Sequence, residues 1–256
     1  MAAISEEHYR AAFTAQTDGI ARIAETADPG TPIATCPGWT LAHLIQHVGK
    51  VHRRAAATVR RGERVPDEEL EDTVPPAGGE GDWLRAGAER VVEEIGRRGL
   101  DAPAWLFARP GTAGLWLRRV THETTVHHAD AAFSCGREWS APPDLAADGV
   151  TEALEFFCSP GAAARRPSLK ELRGRGETLH LHATDEGLGS AGEWLVERTP
   201  DGPVSSQEHR KADVAVRGQA EVLLLLLMRR APAADPRLTI FGESSLLDHW
   251  LDHTAF

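Results

Sequence analysis

The apolar residues of this 256-residue chain change their repeat once along its length, and that change governs what the chain can fold into. Up to about residue 134 they recur at the spacing of three and four that marks an amphipathic helix. From about residue 178 they alternate every second position, as in a strand with one buried face. Such a switch predicts an all-helical domain followed by an α+β domain. The turn-rich stretch WSAPPD, residues 139–144, sets the division near 140–145, which gives domains of 1–142 and 143–256.

Within the first domain the spacing predicts helices over about 5–27, 41–61, 82–98 and 114–134. Asp28-Pro29-Gly30 stops the first, and Thr40 stands where it can cap the second. Residues 62–81 are charged and rich in Pro and Gly, so they read as a loop, and DAPAW and ARPGTAG interrupt the chain before the fourth helix. Four long helices with such connections suggest a four-helix bundle. In the second domain a helix is expected near 144–158, strands at 178–183, 193–197, 213–217 and 238–241, a Leu-rich helix over 220–230 and a last helix over 244–254.

Composition narrows the function classes. An apolar fraction of 41% is enough for real cores and excludes a disordered chain. A net charge of −10 argues against nucleic acid, whose phosphates need a basic partner, and weakly against an anionic membrane surface. Cys36, Cys135 and Cys158 form no CxxC pair and too sparse a set for a disulfide framework, which predicts a reduced, cytoplasmic setting. MAAISEEHYR has no apolar core of a signal peptide, and the apolar run at 220–231 is too short to span a bilayer. Basic charge is almost all Arg, with Lys only at 50, 170 and 211, and Ala and Gly abound; that usage fits a high-GC genome.

The chemistry concentrates in WLRRVTHETTVHHAD, residues 116–130. On a helix Glu123 and His127 lie about 40° apart, on a face that also carries Trp116, Val120 and Val126. The zincin spacing HExxH is absent, because position 126 is Val. On the second helix His47 falls inside the stripe of Leu41, Leu44, Ile45, Val48 and Val51. His43 lies at its edge, and His52 is a weaker inward candidate. Two His and one carboxylate from two helices, with coordination positions left open, suit a catalytic zinc or another divalent ion. The same residues also suit a metal-free polar cluster, paired with one another or with Arg118 or Arg119. The spacing leaves both readings open.

The segments TCPGWTLAHLIQHVGKVH and RRVTHETTVHHADAAF resemble the DinB-like N-terminal bundle of the mycothiol-dependent maleylpyruvate isomerase family. LHLHATDEG, GEWLV and ADVAVRGQAEVLLLLLMRR resemble that family's sterol-carrier-like C-terminal domain, so the likeness covers nearly the whole chain. It implies a divalent metal, usually zinc, on His47, Glu123 and His127, with mycothiol as cosubstrate. It also implies an arginine of the C-terminal domain, Arg229 or Arg230 here, that reaches the active site and binds carboxylate or thiol-cosubstrate groups; a helix C-terminal cation is the plainer reading. Where the family often has Arg-Trp after the second ligand His, this chain has His128-Ala129, followed by Asp130.

The expectation is therefore a two-domain metalloenzyme whose C-terminal domain covers the site. A metal-activated small thiol would add to an electrophilic small molecule, either for isomerisation or for thiol S-transfer, in an actinobacterial host. A metal-bound hydrolase and a non-catalytic binding or regulatory module are the alternatives. Asp130, three residues after His127, could accept from the free ring nitrogen of a ligand His. Cys36 could supply a fourth ligand or a nucleophile, but reads first as a small residue fixing its turn. His180 and His182 share one side of a strand with no third partner nearby in sequence, and read as a half-exposed face. Trp39, Trp194 and Trp250 read as packing anchors.

Overall fold

The computed structural model describes residues 4–106, 109–159 and 161–255, and the chain divides into two compact units, Ile4–Ser140 and Ala141 onward. The first unit is built on α1 (Glu6–Ala24), α2 (Leu41–Arg61), α3 (Glu80–Arg98) and α4 (Ala113–Ser134). A short antiparallel pair, β1 (Pro103–Leu106) and β2 (Arg109–Thr112), joins α3 to α4. The sequence reading treated that segment only as an interruption, because a four-residue strand containing Pro carries no period.

The helices begin and end where the chain's chemistry allows. Ser5 accepts from the His8 amide at the start of α1. The Nδ1 of His43 accepts the Thr40 amide at 3.1 Å, closing the first turn of α2, so His43 is a cap and not a ligand. Gly62 ends α2 in the left-handed region at φ 78°. One core cluster joins Phe13, Val51, Val59, Val91, Ile95, Trp116 and Val120. Another joins Ile20, Leu41, Leu44, Ile45, Val48, Trp83 and Leu84.

Close approach of α2 and α3 depends on Gly49, where an added Cβ would stand 1.9 Å from the Trp83 ring. Arg53 lies over the same ring at 3.8 Å and binds Asp72 at 2.7 Å, while the Trp83 indole donates to Asp72 at 3.1 Å. The 62–81 loop is tied to the bundle through Asp72, and also through Asp67, which meets Lys50 at 2.8 Å and Arg54 at 2.7 Å on α2.

The second unit opens with α5 (Pro143–Phe157) and a single turn, α6 (Ala162–Arg165). It continues with β3 (Thr178–Ala183), β4 (Glu193–Thr199), β5 (Gly202–Ser206), β6 (Val214–Gly218), α7 (Ala220–Leu227), β7 (Thr239–Gly242) and α8 (Ser244–Thr254). The sheet order is β5-β4-β3-β6-β7, antiparallel except for the β3–β6 pair. Every residue of α7 from Val222 to Leu227 is buried, which is why its sequence is apolar all round. Trp194 and Trp250 are each 1% exposed and anchor this core as expected; the Trp194 indole donates to Thr151 of α5 at 2.9 Å. β5, a turn-rich strand with an exposed face, was not foreseen.

Candidate metal centre

Two helices and one turn build the site. His47 stands on α2, Glu123 and His127 one turn apart on α4, and each offers a donor atom within 4.8 Å of the others. His47 Nε2 lies 3.1 Å from Glu123 Oε1. Arg119, one turn before Glu123, donates from Nε to the other oxygen at 3.2 Å. Of the two arginines considered from sequence, it is Arg119 that takes this place. Burial by itself would push the Glu123 carboxyl up; the hydrogen bond with His47 and the charges of Arg119 and the two histidines outweigh it and hold the group well below the usual carboxylate range.

Behind His127 stands Asp130, fully buried. Its Oδ2 accepts from His127 Nδ1 at 2.9 Å, so Nδ1 carries the proton and Nε2 keeps its lone pair for the site. Thr35 donates to Oδ1 of Asp130 at 2.6 Å, and the Cys36 thiol lies 3.6 Å from Oδ2. Cys36 therefore braces the carboxylate behind His127; it stands with Asp130 and His127, away from the His47–Glu123 pair. No sequence pattern links Thr35 to a carboxylate 95 positions away.

The TCPGWT turn sets the wall of the site. Gly38 takes φ 82°, Trp39 donates its amide to Cys36 at 2.9 Å, and Pro32 bridges Thr40. That geometry lays the Trp39 ring 4.9 Å from the His47 ring and 6.1 Å from the His127 ring, nearly parallel to the latter. Trp39, read from sequence as a packing anchor, is the wall over both histidines.

The remaining histidines of the two helices turn elsewhere. His52 is fully buried against Phe13, with Nε2 3.0 Å from Thr124 Oγ1, and burial pushes it down to about 3. His122 is buried edge-on to Tyr9. His128 lies against Gly19 of α1, its Nδ1 donating to Gln16 at 2.6 Å, and burial together with Arg22 pushes it down to about 4. Ala129 is fully buried. In the second unit Arg229 and Arg230 follow the end of α7 and line a surface concavity with Asp248 and Asp252. Arg229 adopts φ 65° and faces Asp252 at 3.9 Å, and Arg230 donates to the Met228 carbonyl at 2.7 Å.

A helical bundle with an inward His, Glu and His, followed by a mixed five-stranded α+β unit, defines a two-module protein with a candidate metal centre in its first module. Residues 10–132 match the family model of the mycothiol maleylpyruvate isomerase N-terminal domain, and residues 144–249 match that of the C-terminal domain of the same proteins. The chain belongs to the mycothiol-dependent maleylpyruvate isomerase family. Among solved structures it is similar to a mycothiol-dependent maleylpyruvate isomerase, with TM-score 0.59 and 19% identity over 94% of this chain and 95% of that one. A histidine-to-alanine mutant of that enzyme gives the same figures. The search of curated proteins gave no match.

Proposed function

We propose that this protein is a thiol-dependent isomerase that uses mycothiol, with one divalent ion held by His47, Glu123 and His127. The observation that carries the reading is the convergence of those three side chains, with Asp130 fixing the His127 tautomer, in a chain of this family. The donor chemistry fits zinc, since two neutral imidazoles and an ionised carboxylate are common ligands of catalytic zinc. An ion bound there would lower the pKa of a thiol so that thiolate is present at neutral pH.

The chain's own residues supply the rest. Arg119 and His47 keep Glu123 anionic. Asp130 holds the His127 ring in register, and the Trp39 ring packs beside both histidines. The reaction balances with no other reagent. The thiolate sulfur adds to one carbon of a double bond conjugated to a carbonyl, the resulting single bond rotates, and loss of the same thiolate restores the double bond in the other geometry. Maleylpyruvate, a cis-alkene flanked by carbonyl groups, is the substrate to try first. Arg229 and Arg230 are assigned, on family resemblance, to binding carboxylate groups of substrate or thiol; their alanine variants should raise KM more than they lower kcat.

The test is conversion of maleylpyruvate, followed by absorbance, with and without mycothiol. Turnover that requires the thiol supports the reading. Turnover of an ester or amide without any thiol would favour a metal-dependent hydrolase of the same fold.

A further inference from the structure

The second unit holds a cluster that this chemistry does not use. His180 and His182 alternate along β3 and so share one face of the sheet, and the register sets His182 directly opposite Glu193 of β4. The chain then leaves β5 and must pass β4 and β3 to reach β6, and the connection, residues 207–213, carries His209. Three imidazoles thereby meet one carboxylate. His182 Nδ1 lies 2.7 Å and His209 Nδ1 3.1 Å from Glu193 Oε1, and His180 Nε2 lies 2.8 Å from Oε2. Of the two strand histidines read from sequence as a half-exposed face, His182 is half-exposed, but His180 is buried. His180 is 6% exposed, and its partners are Glu193 of β4 and His209 of the crossover, too far along the chain for a local pattern to show.

Hydrogen bonding alone leaves part of the cluster unexplained. Glu193 Oε1 serves two rings, yet His180 Nε2 and Glu193 Oε2 are buried and lack a well-directed hydrogen bond to each other or to any other described group. The two atoms touch at 2.8 Å as an ion pair rather than through a directed hydrogen bond, a geometry that a shared cation would also satisfy. His180, Glu193 and His209 each place a donor atom within 4.8 Å of the others. Donors on one tetrahedral zinc stand about 3.4 Å apart, so small side-chain rotations bring them together. His182 stands beside that set, its Nδ1 2.7 Å from Glu193 Oε1, and would complete it as three imidazoles and a carboxylate, donors suited to zinc.

We propose that His180, His182, Glu193 and His209 form a second divalent-cation site. It takes zinc, fills all four positions from protein, and ties the 207–213 crossover to β3 and β4. Full coordination makes it a structural site, distinct in kind from the open centre of the bundle.

The experiment uses the full-length Glu123→Ala/His127→Ala protein, stripped with chelator and reloaded with zinc, so that the bundle centre does not contribute. One zinc per chain by elemental analysis is expected, together with a rise in Tm of several degrees on zinc addition. His209 is exposed, so His209→Ala in the same background should fold; zinc affinity should fall at least tenfold and the Tm rise should disappear. No bound zinc in the double variant, or unchanged affinity after His209→Ala, overturns the proposal. Wild-type protein that holds one zinc, all of it retained in the double variant, would leave this site standing and remove the bundle centre instead.

Discussion

Asp130 and His127 are joined by a 2.9 Å hydrogen bond across one turn of α4, and the carboxylate is fully buried behind the ring. Its remaining oxygen is taken by Thr35, so the carboxylate has little freedom to turn away. The pair decides which nitrogen of His127 faces His47 and Glu123.

Asp130→Asn is therefore expected to lower affinity for a divalent ion by about 10- to 100-fold while leaving the fold intact. Competition with a chromophoric chelator measures it. An affinity within twofold of wild type would show that the contact is structural only.

Gly49→Ala should destabilise the bundle by about 1–3 kcal/mol, because the new methyl would meet the Trp83 ring at 1.9 Å and the ring is held in place by Asp72. Urea unfolding followed by tryptophan fluorescence gives the number. The equivalent change at the exposed Gly78, where nothing lies within 4 Å but φ is 75°, should cost less.

Acid should weaken the fold through two buried histidines. His52 and His128 are pushed down to about 3 and about 4 from an ordinary value of 6.5. The unfolded chain takes up their protons first, so the stability they contribute is complete above about pH 6.5 and is lost as the pH falls toward 4. Each group adds a slope of up to about 1.4 kcal/mol per pH unit. Unfolding midpoints between pH 7 and 5 should fall, and His128→Gln should flatten the slope. An unchanged slope in that variant would assign the effect elsewhere.

Helical phase was enough to select His47, Glu123 and His127, because the inward stripe of an amphipathic helix is written in its own residues. The sequence offered Arg118 and Arg119 alike as partners of Glu123, and the structure gives that place to Arg119. Thr35 and Trp39 were not, since their roles depend on how the TCPGWT turn folds over α4, a tertiary contact without a period. The sheet repeats the lesson: β3 and β4 alternate cleanly, whereas β5 and the β1–β2 pair are short and rich in Gly and Pro. Glu193 and His209 join His180 only through strand register and a crossover, so the cluster was invisible until the sheet order was known.

In the proposed function His47, Glu123 and His127 present an ion to a thiol. The most direct measurement is the absorption spectrum of cobalt-substituted His209→Ala protein during titration with mycothiol, since that background removes a ligand of the second site. A thiolate-to-cobalt charge-transfer band should grow with thiol and be absent when His47→Ala or Glu123→Ala is added. A spectrum unchanged at millimolar mycothiol would contradict it.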